Sequence, residues 1–430
     1  MIAAGRAAEF SVDTLLLEKT GCTGNKVLVS GRKRCNLTNA MDVGDFIAMY
    51  GANGRFLYQA FHVFFRDDLL ALLHRYGVRT TTEPDGRIFP SSNKAADVVV
   101  ALNRYASESG VDVAFRAPVT DILVRDARVV GVQACEKQYT AAAAILATGG
   151  MSYPGTGSSG DGYRIAEALG HSIVPLRPAL VPLEVDEREL ASSMQGVSLS
   201  GVRLTSYACW ARDIDMSRTP NADFGRGIIA RQAGKSVIES RRGDMLFTHF
   251  GIGGPTVIQM SLAIVDALHR GPVSVSIDLK PDLTYDELRH QLQEELDHHG
   301  RRRVVNLLAT WFPEKLANTL VHIAGIDGQK SGNQVSASER DRLLTTVKSL
   351  CFNIRASLSI SQAMVTAGGV SLDEIDPRTM ASKIVHGLYF CGEVVDLDAE
   401  TGGFNLQAAF STGYLAGQSA AAFVKNGGQD

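Results

Sequence analysis

The chain has 430 residues, with 43 Lys and Arg against 46 Asp and Glu, and a formal net charge of −3. This length predicts roughly two or three domains, each large enough to bury its own core. Because the charges nearly balance and are mixed along the chain, the composition gives no sign of a polyanionic partner. We therefore expect no nucleic-acid partner, and the oligomeric state stays open.

The cysteine pattern and the hydropathy pattern indicate the cellular compartment of the protein. Six cysteines are scattered with no CxxC pair, which is typical of a reduced cytoplasm. No apolar run approaches the ~20 residues that span a bilayer, and the N-terminus lacks the basic-then-apolar order of a signal peptide. No His, Cys or carboxylate spacing suggests a metal site. The sequence thus predicts a cytoplasmic protein without a metal or a membrane partner.

The first nineteen residues resemble the second half of a nucleotide-binding βαβ unit. Small apolar residues such as Ala3 and Ala7 predict a helix that packs closely on a sheet, and an apolar strand then ends at Glu18. An acid at this place binds ribose in dinucleotide folds, where a GxGxxG loop precedes it by ~20 residues. That loop would fall at or before Met1. We therefore expect the first strand and the glycine loop to be absent.

The chain then changes character twice. Helix and strand signals alternate up to about Gly150, as in a parallel sheet with a small antiparallel excursion, and the apolar period predicts one helix over 56–76. Short strand-like pieces separated by turn residues begin near Pro182 and predict a β-domain. A helical stretch follows over 284–350, opened by Thr284 with Glu287 three residues later, which is the pattern of a capping box. Within this stretch we expect one helix over 306–323.

The strongest local signal comes near the end of the chain. A buried strand over 388–391 is followed by Gly392 and Glu393, and then Gly402 and Gly403 precede a helix rich in small residues. Two glycines at a helix N-terminus let the backbone approach a ligand closely, and the free N–H groups of the first turn can stabilise an anionic atom. A glycine loop that only closes a helix against a sheet is an equal alternative.

Eight segments in the same order resemble the BaiN-type flavoproteins, also called aminoacetone-oxidase-like, which bind FAD. They cover nearly the whole chain: LLEK (16–19), SGRKRCNLTN (30–39), DGRIFPSS (85–92), ILATGGMSYPGTGSSGDGYRIAEALGH (145–171), PALVPL (178–183), DMLFTHFGIGGP (244–255), TAGGVSLDEIDPRTMASK (366–383) and GLYFCGEVVDLDAETGGFNLQAAFSTGYLAG (387–417). The glycine pattern of the family differs here, since many members carry three glycines where this chain has Gly31-Arg32-Lys33.

The resemblance implies an α/β fold with a discontinuous Rossmann-like FAD domain of the glutathione-reductase type. It also implies an inserted β-barrel-like domain and a helical domain nested within that insertion. The expected boundaries are 1–184 and 365–430 for the FAD domain, 185–280 and 352–364 for the β-domain, and 281–351 for the helical insertion.

The resemblance also implies a set of cofactor-binding residues. Glu18 would accept the adenosine ribose hydroxyls, Arg34 would neutralise phosphate, and Asn36 would bond a flavin edge. Val119 would recognise adenine through its backbone, although a buried strand valine is the account that the residue pattern alone favours. The whole set comprises Glu18, Lys19, Lys26, Gly31, Arg34, Asn36, Val119, Thr148, Gly149, Gly392, Glu393, Gly402, Gly403, Asn405, Leu406 and Gln407.

Catalytic residues are less sharply indicated. His249, in FTHFGIGGP, is the first candidate for a base, and Tyr153, in GGMSYPGTG, is the second polar candidate. A histidine in a turn or core, and a packed tyrosine, are the structural alternatives. No Ser/His/Asp nucleophile set stands out.

We expect an FAD-dependent oxidoreductase that moves a hydride between flavin and a small organic substrate, either an amine or a carbon–carbon bond. The second substrate would be O2 or NAD(P)H. The alternative is a flavin-free binding or scaffold protein derived from this family, suggested by the missing glycine loop.

Overall fold

The computed structural model describes residues 1–214 and 237–428. The chain divides into two compact units: unit 1 combines 1–179 with the segment from residue 360 onwards, and unit 2 spans 180–359. The first unit is thus discontinuous in sequence. Residues 215–236, which belong to the predicted β-domain, lie outside the described residues, and the finer domain boundaries stay a prediction.

Unit 1 mixes helices with short strands, and its last three elements come from the C-terminal segment. In chain order they are α1 (Ile2–Glu9), β1 (Leu15–Glu18), α2 (Asn25–Val29), β2 (Thr38–Asn39), α3 (Val43–Ala48), α4 (Tyr58–Val63), α5 (Arg66–Arg75), β3 (Thr80–Thr82), β4 (Arg87–Pro90), α6 (Ala95–Glu108), β5 (Asp112–Phe115), β6 (Val119–Arg125), β7 (Arg128–Ala134), β8 (Lys137–Thr140), β9 (Ala144–Leu146), α7 (Asp161–Ala168) and β10 (Ile173–Ala179).

Unit 2 holds a second set of strands and helices. These are β11 (Leu183–Val185), α8 (Arg188–Ser193), β12 (Ser198–Tyr207), β13 (Val237–Phe247), β14 (Gly251–Gly253), α9 (Pro255–Leu268), β15 (Val273–Asp278), α10 (Tyr285–His299), α11 (Val304–Leu308), α12 (Glu314–Ile323), α13 (Ala337–Lys348) and β16 (Leu350–Ser357). The chain then re-enters unit 1 as β17 (Val365–Val370), β18 (Leu388–Phe390) and α14 (Phe404–Lys425).

Parallel pairing in unit 1 joins strands that are distant in sequence. β1 pairs with β5, so that Leu15 lies opposite Asp112 and Glu18 opposite Phe115. β18 pairs with β9 in the same sense, which places Phe390 beside Leu146. The antiparallel excursion predicted from the sequence is the three-stranded sheet β6-β7-β8, and β2-β4-β3 forms another. Crossover pairing of this kind is the signature of an α/β fold.

Small residues allow α1 and α14 to approach each other closely. A Cβ added at Gly417 would lie 2.2 Å from the Ala3 carbonyl oxygen, and one added at Gly5 would lie 2.4 Å from the ring of Tyr105. Ala3 and Ala7 of α1 are buried. The close packing predicted for this small apolar face is present, but these contacts join α1 to the helices α14 and α6, whereas the sequence predicted packing on a sheet.

Unit 2 contains a closed barrel of six strands in the order β11-β14-β13-β12-β15-β16. The four helices α10 to α13 leave the barrel after β15 and return to it at β16. Barrel residues such as Phe247 and Phe352 and helix residues such as Leu316 and Leu344 belong to one hydrophobic core. The predicted fold class, with a barrel inserted in a Rossmann-like domain and helices nested in the insertion, is confirmed.

Several predicted helix limits agree with the structure and two differ. Thr284 caps α10 as expected, because its hydroxyl accepts the Glu287 N–H and the Glu287 carboxylate accepts the Thr284 N–H. The predicted helix over 56–76 breaks between α4 and α5, where Phe64 and Phe65 are extended. The helix predicted over 306–323 breaks at Pro313, which has no N–H to donate and begins α12 instead.

A buried histidine links two parts of unit 1. The side chain of His171 is 0% exposed, its Nε2 lies 2.9 Å from the Ser382 hydroxyl, and its Nδ1 lies 3.3 Å from the Glu374 carboxylate. Glu374 also accepts bonds from the Ser172 backbone and hydroxyl. The ring of Phe390 meets the imidazole edge-on at 4.8 Å. Burial lowers the pKa of His171, and the carboxylate of Glu374 opposes that shift.

None of the helices in the described part of the chain is long and apolar enough to cross a bilayer.

Candidate active site

The start of α14 is the centre of the candidate site. Gly403, the residue before the helix, has a left-handed backbone with φ of 93°. A Cβ there would lie 2.5 Å from the Thr38 carbonyl oxygen, so only glycine fits without a shift of the backbone. With its amide oriented to satisfy both ends, Asn36 accepts the Gly403 N–H at 3.0 Å and donates to Thr38 at 3.2 Å. Asn36 therefore joins the backbone at Thr38 to the residue that precedes α14.

Several polar groups around this helix start lack a protein partner. Among the described residues, the backbone N–H groups of Asn405 and Leu406 have no acceptor, as the first turn of any helix implies. The side-chain oxygens of Thr38 and Gln407 are buried and also unpartnered. Buried polar atoms are nearly always bonded, so unpaired donors and acceptors at one place indicate a ligand that bears both.

The side chain of Asn405 shapes the preceding loop. Its Oδ1 accepts the Ala399 N–H at 2.9 Å, and its Nδ2 donates to the Ala399 carbonyl at 2.8 Å. This side chain is therefore committed to protein contacts, which leaves its backbone N–H as the group available to a ligand. Leu406 packs on the apolar cluster that includes Leu37.

Glu393 gathers a second set of polar residues. Its carboxylate forms an ion pair with Lys26, accepts the Ser152 hydroxyl at 3.1 Å and accepts the Thr366 N–H at 2.8 Å. The Lys26 ammonium also donates to Ser152 at 2.8 Å. Gly392, before Glu393, donates its N–H to the Thr412 hydroxyl of α14 at 3.0 Å. Lys26, Gly392 and Glu393, all predicted from the sequence, thus lie in one cluster.

Two glycines that follow β9, Gly149 and Gly150, pack closely beside Glu393. Gly149 is left-handed at φ of 72°, and a Cβ on Gly150 would lie 3.0 Å from the Glu393 carboxyl carbon. The hydroxyl of Thr148 is buried without a partner in the described structure. Residues 148–150 therefore offer close backbone approach and one unused polar atom.

Glu18 and Lys19 lie at the carboxyl end of β1, as expected. Glu18 accepts the N–H and the hydroxyl of Thr20 at 2.7 and 2.8 Å. Lys19 donates to Ser159 and forms an ion pair with Asp161 at 2.5 Å. The Lys19 pairing lowers the pKa of Asp161, against the desolvation that would raise it. Both predicted residues thus hold protein partners, and their contacts with ribose stay a prediction.

The loop before Asn36 has an unusual backbone. Gly31, Arg32, Lys33 and Cys35 all have left-handed φ between 54° and 69°. Non-glycine residues adopt this conformation at a cost, and such residues concentrate at functional sites. Burial raises the pKa of the Cys35 thiol to about 11, so it stays protonated at neutral pH and is no nucleophile.

The Arg34 side chain contacts three protein side chains. Its guanidinium bonds Glu83 at 2.5 Å and Asn93 at 2.8 Å, and it lies 4.0 Å from the centroid of the Phe89 ring. Its predicted role at the phosphate stays a prediction. Val119 is the first residue of β6, opposite Ala134 of β7, and its predicted contact with adenine is likewise untested.

The two catalytic candidates lie in different units. Tyr153 in unit 1 is 38% exposed and has a left-handed backbone, and its N–H donates to the Ser361 carbonyl at 3.2 Å. His249 in unit 2 is exposed in the turn between β13 and β14, where it meets the Phe250 ring edge-on. Neither side chain is buried against a charged partner in the described structure, so both roles stay predictions.

Three residues of the site were not predicted from the sequence. Ser152 and Thr366 hold the carboxylate of Glu393, and Thr38 supplies both the carbonyl beside Gly403 and an unpaired hydroxyl. Ser152 follows the predicted Gly149 by three positions, which was a usable signal. Thr366 of β17 becomes a neighbour of Ser152 because the chain returns to unit 1 after the insertion, and its N–H also reaches Glu393 later in the same segment.

A model of the HI0933-like protein Rossmann domain matches residues 1–419. The chain belongs to the HI0933-like family. Among its curated relatives, a 3-dehydro-bile acid delta(4,6)-reductase of Clostridium scindens is 29% identical over 422 residues, covering 98% of this chain and 95% of that protein. A ribosomal RNA dihydrouridine synthase of Escherichia coli strain K12 is 29% identical over 427 residues, covering 97% and 94%.

Among solved structures, a quinol-fumarate reductase with menaquinol molecules matches with a TM-score of 0.50 at 16% identity. It covers 100% of this chain and 70% of the other, and it indicates a shared fold. The family predicted from the sequence motifs is confirmed, and with it the assignment to Rossmann-like oxidoreductases for which a flavin cofactor is indicated.

The site fits such a cofactor. A flavin carries N–H and C=O groups on its pyrimidine edge, and free N–H groups and unpaired oxygens meet at the start of α14. The glycines at 149–150 and 402–403 let neighbouring protein groups pack closely beside these polar atoms.

Proposed function

We propose that this HI0933-like protein binds FAD in unit 1 and reduces a carbon–carbon double bond that is conjugated to a carbonyl group. The observation that carries the cofactor assignment is the start of α14, with its free N–H groups and the unpaired oxygens of Thr38 and Gln407. Asn405 and Leu406 would hold the flavin through their N–H groups. Glu18 would bind the ribose, and Lys26 with Glu393 would lie toward the ribityl and pyrophosphate region.

The chemistry of the relatives supports the choice of bond. A delta(4,6)-reductase of a 3-dehydro-bile acid acts on double bonds in conjugation with a ketone, and a dihydrouridine synthase acts on the uracil double bond beside a carbonyl. Both reactions add a hydride and a proton, which together are two electrons and two protons, across a polarised C=C bond. Amine oxidation, the other reaction implied by the sequence resemblance, has no counterpart among these relatives.

When bound, a flavin would supply the hydride chemistry of the reaction, and the residues of this chain would orient the substrate and deliver the proton. The α-carbon of the substrate takes this proton, for which the exposed phenol of Tyr153 is our first candidate donor and His249 the second. A reductase needs an electron donor, so we propose that NAD(P)H rather than O2 serves as the second substrate.

The test of this function uses purified protein reconstituted with FAD. We expect a yellow protein whose visible flavin absorbance is bleached by NAD(P)H under anaerobic conditions and restored by a conjugated enone, with the saturated ketone as product. A saturated ketone or an amine offered in place of the enone serves as the control substrate. The proposed reaction would be contradicted if only an imine derived from an amine restored the flavin absorbance. It would also be contradicted if an amine drove the formation of hydrogen peroxide.

Uridine in ribosomal RNA is a second candidate substrate, because a dihydrouridine synthase matches this chain as well as the bile-acid reductase does. The near-neutral charge balance favours a small molecule. Ribosomal RNA from cells that lack this protein separates the two: a dihydrouridine that disappears with the gene and returns with it would support the RNA substrate. Unchanged dihydrouridine would leave the small enone.

The flavin-free scaffold is the remaining alternative. It predicts a colourless protein that does not bind added FAD, and the same reconstitution experiment tests it.

A further inference from the structure

We propose that a cavity in unit 2 binds a small phosphate-bearing ligand, independently of the flavin site. The cavity has a volume of about 550 Å³ and lies where the end of α10 meets the loop that precedes α13. Its size falls within the range of small-molecule sites, roughly 300–1,000 Å³. All of its lining residues belong to unit 2 and none is in the proposed flavin set.

The lining is cationic. Arg301, Arg302 and Arg340 line the cavity together with a single acid, Asp297, and Arg340 also forms an ion pair with Asp341 at 3.6 Å. Arg301 and Arg302 are exposed, and neither side chain has an ion pair or a hydrogen bond within the described part of the chain. Unpaired arginines in a concave surface form a field that attracts anions, and the guanidinium fork matches phosphate oxygens two at a time.

Close backbone packing fixes the loop that carries these arginines. A Cβ on Gly332 would lie 3.2 Å from the Gly300 Cα, and one on Gly300 would lie 2.6 Å from the Leu296 carbonyl oxygen. Gly332 donates its N–H to the Arg302 carbonyl at 2.9 Å, and Asn333 donates to the Gly300 carbonyl at 2.9 Å. The cavity wall is therefore held by hydrogen bonds between two segments, which limits the entropy lost when a ligand binds.

Arg340 extends the positive wall from the neighbouring helix α13. Its Nη1 donates to the Gln293 amide oxygen, while the Gln293 amide nitrogen donates to Asp297 at 2.9 Å. Gln293 thus holds both charges of the far wall in place. The Nε of Arg340 is buried and has no acceptor in the described structure, so this guanidinium has an unused donor.

The shape favours a small ligand over a polynucleotide. Sites for single-stranded nucleic acids combine an extended basic groove with aromatic side chains on which bases stack. The apolar side chains of Leu296 and Val335 also line this cavity, and its lining contains no Phe, Tyr or Trp. A phosphate or pyrophosphate group on a small molecule matches that description better.

Calorimetric titration with inorganic pyrophosphate and with ADP tests the proposal. The protein is first saturated with FAD, so that ADP does not compete at the flavin site. We expect binding of both probes that weakens as salt rises. The double variant Arg301→Gln/Arg302→Gln should lose about tenfold or more in affinity, because it removes two of the three guanidinium groups that would bond the phosphate oxygens.

Arg303→Gln is the matched control, since Arg303 is adjacent and exposed but lies outside the cavity lining. It should bind both probes as the wild type does, and circular dichroism should show all variants folded. Equal affinity in the double variant, or no binding of either probe, would overturn the proposal. Binding of a long RNA alone, with loss in the double variant, would also overturn it and indicate a polynucleotide instead.

Discussion

At the scale of single residues, Gly403 restricts the candidate site most tightly. Its left-handed backbone and its contact with the Thr38 carbonyl are two separate constraints, and both exclude a side chain. The sequence indicated the glycine pair at 402–403 because it precedes a helix. It gave no reason to expect Thr38, since that residue reaches the helix only through the folded loop that Asn36 supports.

Gly403→Ala should weaken both folding and FAD binding. Left-handed alanine costs about 1–2 kcal/mol, and the clash at 2.5 Å from the Thr38 oxygen adds to that cost. Gly77→Ala is the control, because Gly77 has φ of 87° but open space around it. Urea unfolding should show a loss of about 1–2 kcal/mol for the control and a larger loss for Gly403→Ala. Equal losses of unfolding free energy in the two variants would show that the contact of residue 403 with the Thr38 carbonyl oxygen adds no cost.

Glu393→Gln should lower the free energy of unfolding by about 1–3 kcal/mol. The amide keeps acceptors for Ser152 and Thr366 but leaves the Lys26 ammonium without its counter-charge. Glu83→Gln breaks the more exposed pair with Arg34, at 33% and 39% exposure, and should cost less than about 1 kcal/mol. Denaturant melts of both variants make the comparison, and an equal cost would place the Glu393 cluster among ordinary surface pairs.

Tyr153→Phe should lower kcat by about 10²–10⁴-fold if the phenol is the proton donor. The ring keeps its contacts, so the flavin content and the bleaching by NAD(P)H should match the wild type. His249→Gln is measured in parallel. A normal rate in Tyr153→Phe together with a slow His249→Gln would transfer the role to the histidine.

At the scale of elements, patterns of period and capping predicted α10 and α14 well, since both carry their signals locally. The predicted helix over 56–76 failed because continuous apolar spacing conceals the extended Phe64 and Phe65. The predicted helix over 306–323 was wrong because it included Pro313. A proline inside a helical pattern usually marks a helix boundary, and α12 begins directly after this one. The parallel pairs β1–β5 and β9–β18 needed the fold, because their partners are far apart in sequence.

The buried imidazole of His171 should make unit 1 sensitive to acid. Burial holds its folded-state pKa below the unfolded value of 6.5. The unfolded state therefore binds more protons below that value, and the free energy of unfolding falls as the pH drops through about 6.5. The slope due to this group is at most about 1.4 kcal/mol per pH unit.

Urea unfolding of the wild type and of His171→Gln between pH 8 and pH 5 measures this slope. The variant should have the lower stability at pH 8, where the neutral imidazole bonds Ser382, and a flatter decline toward pH 5. Two parallel declines would mean that Glu374, the carboxylate beside the ring, compensates the imidazolium fully.

At the scale of the whole molecule, one Rossmann-like unit is interrupted by a second unit, whose described residues form a closed barrel and six helices, four of them between β15 and β16. Changes in composition near 182, 280 and 352 already indicated the interruption. The ordered motifs indicated the family, because eight segments in one order are far more specific than a single glycine loop. Side-chain clusters such as Glu393 with Ser152 and Lys26 could not be read from the sequence, since they join segments that precede and follow the insertion.

We propose that this chain uses a bound flavin to reduce a conjugated carbon–carbon double bond. The direct test is a single turnover under anaerobic conditions, in which FAD-loaded protein reduced by one equivalent of NAD(P)H is mixed with a conjugated enone. We expect the visible absorbance of oxidised flavin to return while one equivalent of saturated ketone forms. A protein that binds no FAD, or a reduced flavin that the enone leaves unchanged while O2 reoxidises it, would rule this function out.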